Sequence, residues 1–258
     1  YYMKNLSFNL KSKNILITGG AGFLGSQIVD AFSKQKSNIY VLDVKKPVKK
    51  TGVTYFKTDI TNQKDLSKVL FFIKKKKIRI DVLINNAAIN YPPSKSKKNN
   101  FKLESFPDDL WKKDIDVSLK GSFLCTKIFG SYMAKFNQGV ILNISSDLGI
   151  IAPDQRLYKD SNFTKPVTYS VVKHGIIGLT KYTASYWGKN NIRCNAIAPG
   201  GIFNNQNKNF IKKINRLIPL NRMAKKNEYN GLILFLSSDL SSYLTGSVIV
   251  ADGGRTII

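Results

Sequence analysis

Asn14-Ile15-Leu16-Ile17-Thr18-Gly19-Gly20-Ala21-Gly22-Phe23-Leu24-Gly25 is the stretch on which the fold turns. A short apolar run ends at Thr18, glycines follow, and from Phe23 to Gln35 the apolar residues recur at helical spacing. Such a strand–turn–helix step lets the backbone bend sharply and come close to a pyrophosphate. The unpaired N–H groups of the helix N-terminus then face its charge. The position between strand and helix, more than the glycines themselves, makes Gly19, Gly22, Phe23, Leu24 and Gly25 a candidate nucleotide site.

The same alternation continues along the chain. Ile39–Asp43, Asp81–Ile84, Val140–Ile144, Arg193–Ala198 and Ser247–Val250 read as short buried strands. Gln63–Lys75, Asp108–Lys135, Val167–Trp187 and Asn227–Leu236 read as helices. Strands alternating with helices imply right-handed crossovers and a parallel sheet covered on both faces, a doubly wound α/β fold. Ligands of such folds bind beyond the carboxyl ends of the strands. Two loops, Asn90–Asn100 and Asp147–Pro166, are longer than packing needs, and loops so placed carry substrate specificity.

Composition narrows the functions. The 258 residues carry 41 basic against 16 acidic side chains, a net charge of +25, yet 35 of the basic residues are Lys. Lys, Asn and Ile share AT-rich codons, so genome composition explains the lysines. A nucleic-acid surface would bring clustered Arg with interleaved aromatics, which the densest run, Lys74–Lys77, lacks. Cys125 and Cys194 exclude a disulfide scaffold or a four-cysteine zinc site, and His174, the one histidine, excludes a multi-histidine metal centre. No apolar run reaches membrane-spanning length and no secretion signal is evident, so a cytoplasmic protein is expected.

Three further motifs carry chemistry. Asp43 closes the second strand 18 positions after Gly25, where a carboxylate accepts from an adenosine ribose and repels a 2′-phosphate. It therefore favours NAD over NADP, with Lys45 and Lys46 near enough to soften the repulsion. Asn85-Asn86-Ala87-Ala88 follows the fourth strand, and its small residues let the chain pass beside an adenine or ribose. Asn143-Ile144-Ser145-Ser146 ends the fifth strand, and Tyr169 and Lys173 share one face of a helix. An ammonium beside a phenol lowers its pKa from about 10, which suits it to alcohol–carbonyl proton transfer.

Taken together, these motifs resemble the short-chain dehydrogenase/reductase family over nearly the whole chain. The glycine turn, Asp59-Ile60, Asn85–Ala88, Ser146, Tyr169/Lys173, Pro199-Gly200 and Ala251-Asp252-Gly253-Gly254 stand in the family's order. The resemblance implies one Rossmann-type domain over 1–258, with 1–12 as an N-terminal extension and about seven parallel strands. It implies NAD(P)(H) held by the glycine turn and by Asn86, Ala87 and Ala88. Asp59 and Ile60 would lie at the adenine, and Pro199, Gly200 and Ile202 at the nicotinamide. Ser146 would orient the substrate oxygen, Tyr169 act as acid/base, and Lys173 hold Tyr169 and the nicotinamide ribose. A homodimer or homotetramer through Asp108–Lys135 and Val167–Trp187 is also implied.

The departures are informative. The TGxxGxxG spacing is usual in the family's extended subfamily, but the length and the Asp-Gly-Gly ending are those of compact members. Asn-Asn-Ala-Gly has become Asn-Asn-Ala-Ala. Ser146 and Tyr169 lie 23 positions apart, more than in the compact pattern, a combination similar to oxidoreductases of surface-glycan and flagellin modification. Ser118 stands where the resemblance places a fourth catalytic residue, an asparagine whose main-chain carbonyl holds a relay water in a helix distortion. A serine hydroxyl is able to steady the same distortion.

His174 points about 100° away from Lys173 and reads as solvated or packed. The cysteines, Trp111 and Trp187 read as packing residues, and Tyr158 lacks a lysine four positions on, where Asn162 stands. The expected activity is NAD(H)-dependent interconversion of a secondary alcohol and a ketone, on a sugar or sugar derivative. The alternatives are an NADPH-dependent ketoacyl or small-ketone reductase, a cofactor-binding regulator without turnover, and a nucleic-acid binder.

Overall fold

The computed structural model describes residues 7–45, 50–91, 101–159 and 163–258. Lys46, Asn162 and most of the Asn90–Asn100 loop lie outside them. Seven strands form one parallel sheet in the order β3-β2-β1-β4-β5-β6-β7. They are β1 (Asn14–Thr18), β2 (Asn38–Asp43), β3 (Val53–Lys57), β4 (Val82–Asn85), β5 (Gly139–Ile144), β6 (Ile192–Pro199) and β7 (Val248–Ala251). The helices are α1 (Phe23–Lys34), α2 (Gln63–Lys75), α3 (Asp108–Asp114), α4 (Gly121–Cys125), α5 (Ser131–Ala134), α6 (Val167–Trp187), α7 (Lys208–Asn215) and α8 (Asn230–Ser237). The doubly wound Rossmann-type fold is as expected, with strand ends displaced by one residue in places.

The side-chain period of two divides the core. Ile15 and Ile17 of β1 pack with Ile28 and Phe32 of α1 and Ile233 of α8. Leu16, between them, faces the opposite layer with Leu66 and Ile73 of α2 and with Phe129. A third cluster under the long loops joins Phe101, Leu157, Tyr158 and Phe163 to Ile214 of α7. Among the described residues no helix is long and apolar enough to cross a membrane.

Several details differ from the sequence reading, and β3 (Val53–Lys57) is not among the six strands it named. The helix expected over Asp108–Lys135 is helical through Ala134, but π segments at Ile115–Lys120 and Thr126–Gly130 interrupt its α-helical bonding. The last helix begins at Asn230 rather than Asn227, and α7 was not anticipated. Trp111 is 41% exposed rather than a packing anchor, whereas Trp187 does pack against the second layer.

Candidate active site

The order reversal falls between β1 and β4, and the site residues gather at the carboxyl ends of these strands and of β5 and β6. Gly19 has φ +67, and a Cβ there would lie 2.8 Å from the Ala87 Cα. A Cβ on Gly25 would lie 2.0 Å from the Gly19 carbonyl oxygen, so this turn closes only with glycines. Thr18 and Asn86 lock it to the β4 exit. Thr18 Oγ1 accepts from the N–H of Asn86 and of Ala87, each at 3.1 Å. Asn86 Nδ2 donates to the carbonyls of Thr18 and Gly19, each at 3.0 Å. Ala88 follows, exposed at the rim.

Gly22 caps α1 without a side chain, so the first-turn N–H groups of Phe23, Leu24 and Gly25 have no carbonyl of their own helix to meet. Asp43 ends β2 beside this turn. Its Oδ2 accepts from Ala21 N–H and its Oδ1 from Lys45 N–H, both at 2.9 Å. A tight glycine cradle, an uncapped helix end and a carboxylate at the next strand end fit a dinucleotide. Asp59 is exposed and accepts from Thr61, while Ile60 is buried against Gly121. Gly200, after Pro199, is held by Ala251, and Ile202 bridges to Ala224.

Deeper in, the β5 end and α6 meet. Ser146 Oγ donates to Asp147 Oδ1 at 2.8 Å, and Arg255 Nη1 donates to Asp147 Oδ2 at 2.5 Å in a buried ion pair. Burial holds the Tyr169 phenol above its ordinary value, and outweighs the nearby Ser146 hydroxyl, which favours the phenolate. Lys173 Nζ donates to the Ile144 carbonyl at 2.9 Å and lies 5.7 Å from the Tyr169 ring centroid. Burial, with the nearby charge of Lys165, pushes the Lys173 amine down to about 8. The expected lowering of the phenol by Lys173 is thus not met, because the ammonium is drawn to the Ile144 carbonyl and desolvation dominates.

Ser118 sits buried inside the first π segment, where Gly121 N–H reaches back to the Asp116 carbonyl. Its hydroxyl accepts from Ile89 N–H at 3.0 Å and its carbonyl accepts from Ser122 Oγ at 3.0 Å. With Tyr169 and Lys173 it lines a cavity of about 10 Å³, room for one water. Asp114 closes the far wall, accepting from Thr168 Oγ1 at 2.5 Å and from Tyr91 at 2.9 Å. Sequence reasoning missed Asp114, Asp147, Lys165 and Arg255. Each is an unremarkable charged residue until the fold buries it or, for Lys165, half-buries it against Tyr169.

The other candidates stand apart. His174 is exposed and its Nδ1 meets the Ser170 carbonyl at 3.0 Å. Tyr158 packs among Phe163 and Phe210, and burial pushes its phenol up to about 12. Cys125 and Cys194 are buried and unpaired with each other.

Comparison with known proteins agrees with this geometry. A family model described as enoyl-(acyl carrier protein) reductase matches residues 21–256. An NAD-dependent glycerol dehydrogenase of Listeria innocua is 31% identical over 262 residues, covering 97% of this chain and 96% of the relative. A 3-oxoacyl-(acyl-carrier-protein) reductase of Thermotoga maritima is 34% identical over 263 residues, covering 96% and 99%. The solved structure of a short-chain dehydrogenase from Leptospira borgpetersenii with bound NAD+ superposes with TM-score 0.89 at 31% identity, covering 99% of this chain and 98% of that one. The chain belongs to the short-chain dehydrogenase/reductase family.

Proposed function

We propose that the protein is an NAD(H)-dependent oxidoreductase interconverting a secondary alcohol and a ketone, acting in the cytoplasm on a sugar or sugar derivative. The observation that carries this reading is the Tyr169 phenol against Ser146, with Lys173 one helical turn on, at the same sheet edge as the uncapped α1 N-terminus. NAD would supply the hydride acceptor or donor. Gly19, Gly22, Phe23, Leu24 and Gly25 would hold its pyrophosphate, and Asp43 its adenosine ribose. Asp59, Ile60, Asn86, Ala87 and Ala88 would line the adenine half, and Pro199, Gly200 and Ile202 the nicotinamide half.

Tyr169 takes the proton from the alcohol or returns it to the carbonyl oxygen. Ser146, oriented by Asp147, turns its hydroxyl to that oxygen as charge develops there. Lys173, one helical turn on and held at the Ile144 carbonyl, would hold the nicotinamide ribose. The small-ketone and sugar readings draw support from the glycerol dehydrogenase relative. Exposed Phe123 on α4 and Val171, Tyr182 and Tyr186 on α6 support association of two or four copies through these helices.

Asp43 makes cofactor choice testable. NADH is expected to bind more tightly than NADPH in fluorescence titration, and Asp43→Ala to narrow the gap. Tighter NADPH binding by the unmutated protein would favour the second reading, an NADPH-dependent ketoacyl reductase like the Thermotoga relative.

Ser118 gives a second test. Ser118→Ala leaves the Ile89 N–H without its acceptor and loosens the π segment. Turnover should fall about tenfold, near the lower end of an acid–base contribution, with cofactor affinity unchanged. Ser118→Asn should retain activity. Equal rates for wild type and Ser118→Ala across the pH range would remove this side chain from the relay.

A further inference from the structure

Lys165 stands two residues before α6, and the proton transfer proposed above makes no use of it. One side chain clamps its backbone in both directions. Gln155 Oε1 accepts from Lys165 N–H at 3.0 Å, and Gln155 Nε2 donates to its carbonyl at 3.2 Å. The lysine side chain runs inward across the face of Tyr169, with Nζ 3.7 Å from the ring centroid. Its one hydrogen bond among the described residues goes to a neutral acceptor, Asn90 Oδ1, at 3.0 Å. Asn90, after β4, and the end of the long loop after β5 therefore meet at this ammonium.

The charge around it is unbalanced. Asp147 is the carboxylate whose field reaches Lys165, and it is already paired with Arg255 at 2.5 Å. Lys173, which is buried, adds a second amine beside the same phenol. Among the described residues no carboxylate comes within ion-pair distance of Lys165 Nζ. Desolvation accordingly pushes the Lys165 amine down to about 8. A half-buried lysine has room to send its ammonium outward to water. This one is pinned at its backbone and aimed over the ring that carries the reacting oxygen.

We infer that Lys165 recognises an anionic group of the substrate, a carboxylate or a phosphate, a few bonds from the carbon that is oxidised or reduced. The substrate is then a hydroxy acid or a phosphorylated alcohol of the sugar class rather than a neutral polyol. The inference rests on the reading of Tyr169 as the acid/base, since that fixes where the reacting oxygen lies. A charge-assisted hydrogen bond at this half-buried position is strong enough to change affinity by about tenfold or more.

The test is binding rather than turnover. Gluconate, glycerol phosphate and glycerol are titrated calorimetrically into the enzyme saturated with NADH, using wild type, Lys165→Met and Lys165→Arg. At least one of the two anions should bind about tenfold or more tightly than glycerol, and which one does so separates carboxylate from phosphate. Lys165→Met should abolish that advantage while leaving NADH and glycerol affinity unchanged, and Lys165→Arg should keep most of it. Anion binding that survives Lys165→Met would overturn the inference. So would a parallel loss of NADH affinity, or anions that bind no better than glycerol. A Tyr169→Phe variant with full turnover would refute the acid/base assignment separately, without altering these binding results.

Discussion

Tyr169→Phe is expected to lower turnover by about a hundredfold or more while NADH binds as it does to the wild type. The substitution removes one hydroxyl from a buried ring and leaves the cofactor cradle untouched. Retained activity above about a hundredth of wild type would move the acid/base role elsewhere. The pH profile follows from the same geometry. Burial raises the Tyr169 phenol and, with the charge of Lys165, lowers the Lys173 amine to about 8, and the two side chains form a proton-accepting pair at one site. Alcohol oxidation releases a proton into this pair, so its rate should rise with pH and level off once the pair has lost its proton. Carbonyl reduction needs that proton and should fall over the same range.

Arg255→Met is expected to destabilise the protein by about 3–5 kcal/mol, because it leaves the Asp147 carboxylate buried without its partner. Both side chains of the pair are almost fully enclosed, 6% and 4% exposed, so solvent does little to screen the loss. The double variant Asp147→Asn/Arg255→Met should recover much of the stability, since removing both charges removes the unpaired one. Its turnover should stay below wild type, because Asp147 also fixes the Ser146 hydroxyl at 2.8 Å. Denaturant midpoints measure the first effect and steady-state rates the second. A loss below about 1 kcal/mol for Arg255→Met would show that the pair carries little.

How much of this was legible in the sequence varies with the physics of each element. The β1 turn and α1 were readable because apolar periodicity and obligatory glycines act locally. The helix over Asp108–Ala134 was readable in extent but not in its π segments, since a slip in hydrogen-bond register leaves the apolar pattern nearly intact. The short, lysine-rich α7 was not anticipated, because its apolar residues gain meaning only against Leu157 and Tyr158. The Tyr169–Lys173 pairing followed from helix geometry, but the direction of the phenol's shift depended on burial and on the Ile144 carbonyl. No local pattern marks Lys165 among 35 lysines, or joins Arg255 to Asp147 across 108 positions.

Hydride transfer itself is the central claim, and isotope transfer tests it most directly. A panel of secondary alcohols, sugar acids and sugar phosphates, each deuterated at the carbinol carbon, is incubated with the enzyme and NAD+. The label in the nicotinamide product is then measured by mass spectrometry. The account predicts deuterated NADH from at least one alcohol, with the transfer lost in Tyr169→Phe. An NADH-binding protein that transfers no deuterium from any of them, or a Tyr169→Phe variant that transfers it as fast as wild type, would contradict it.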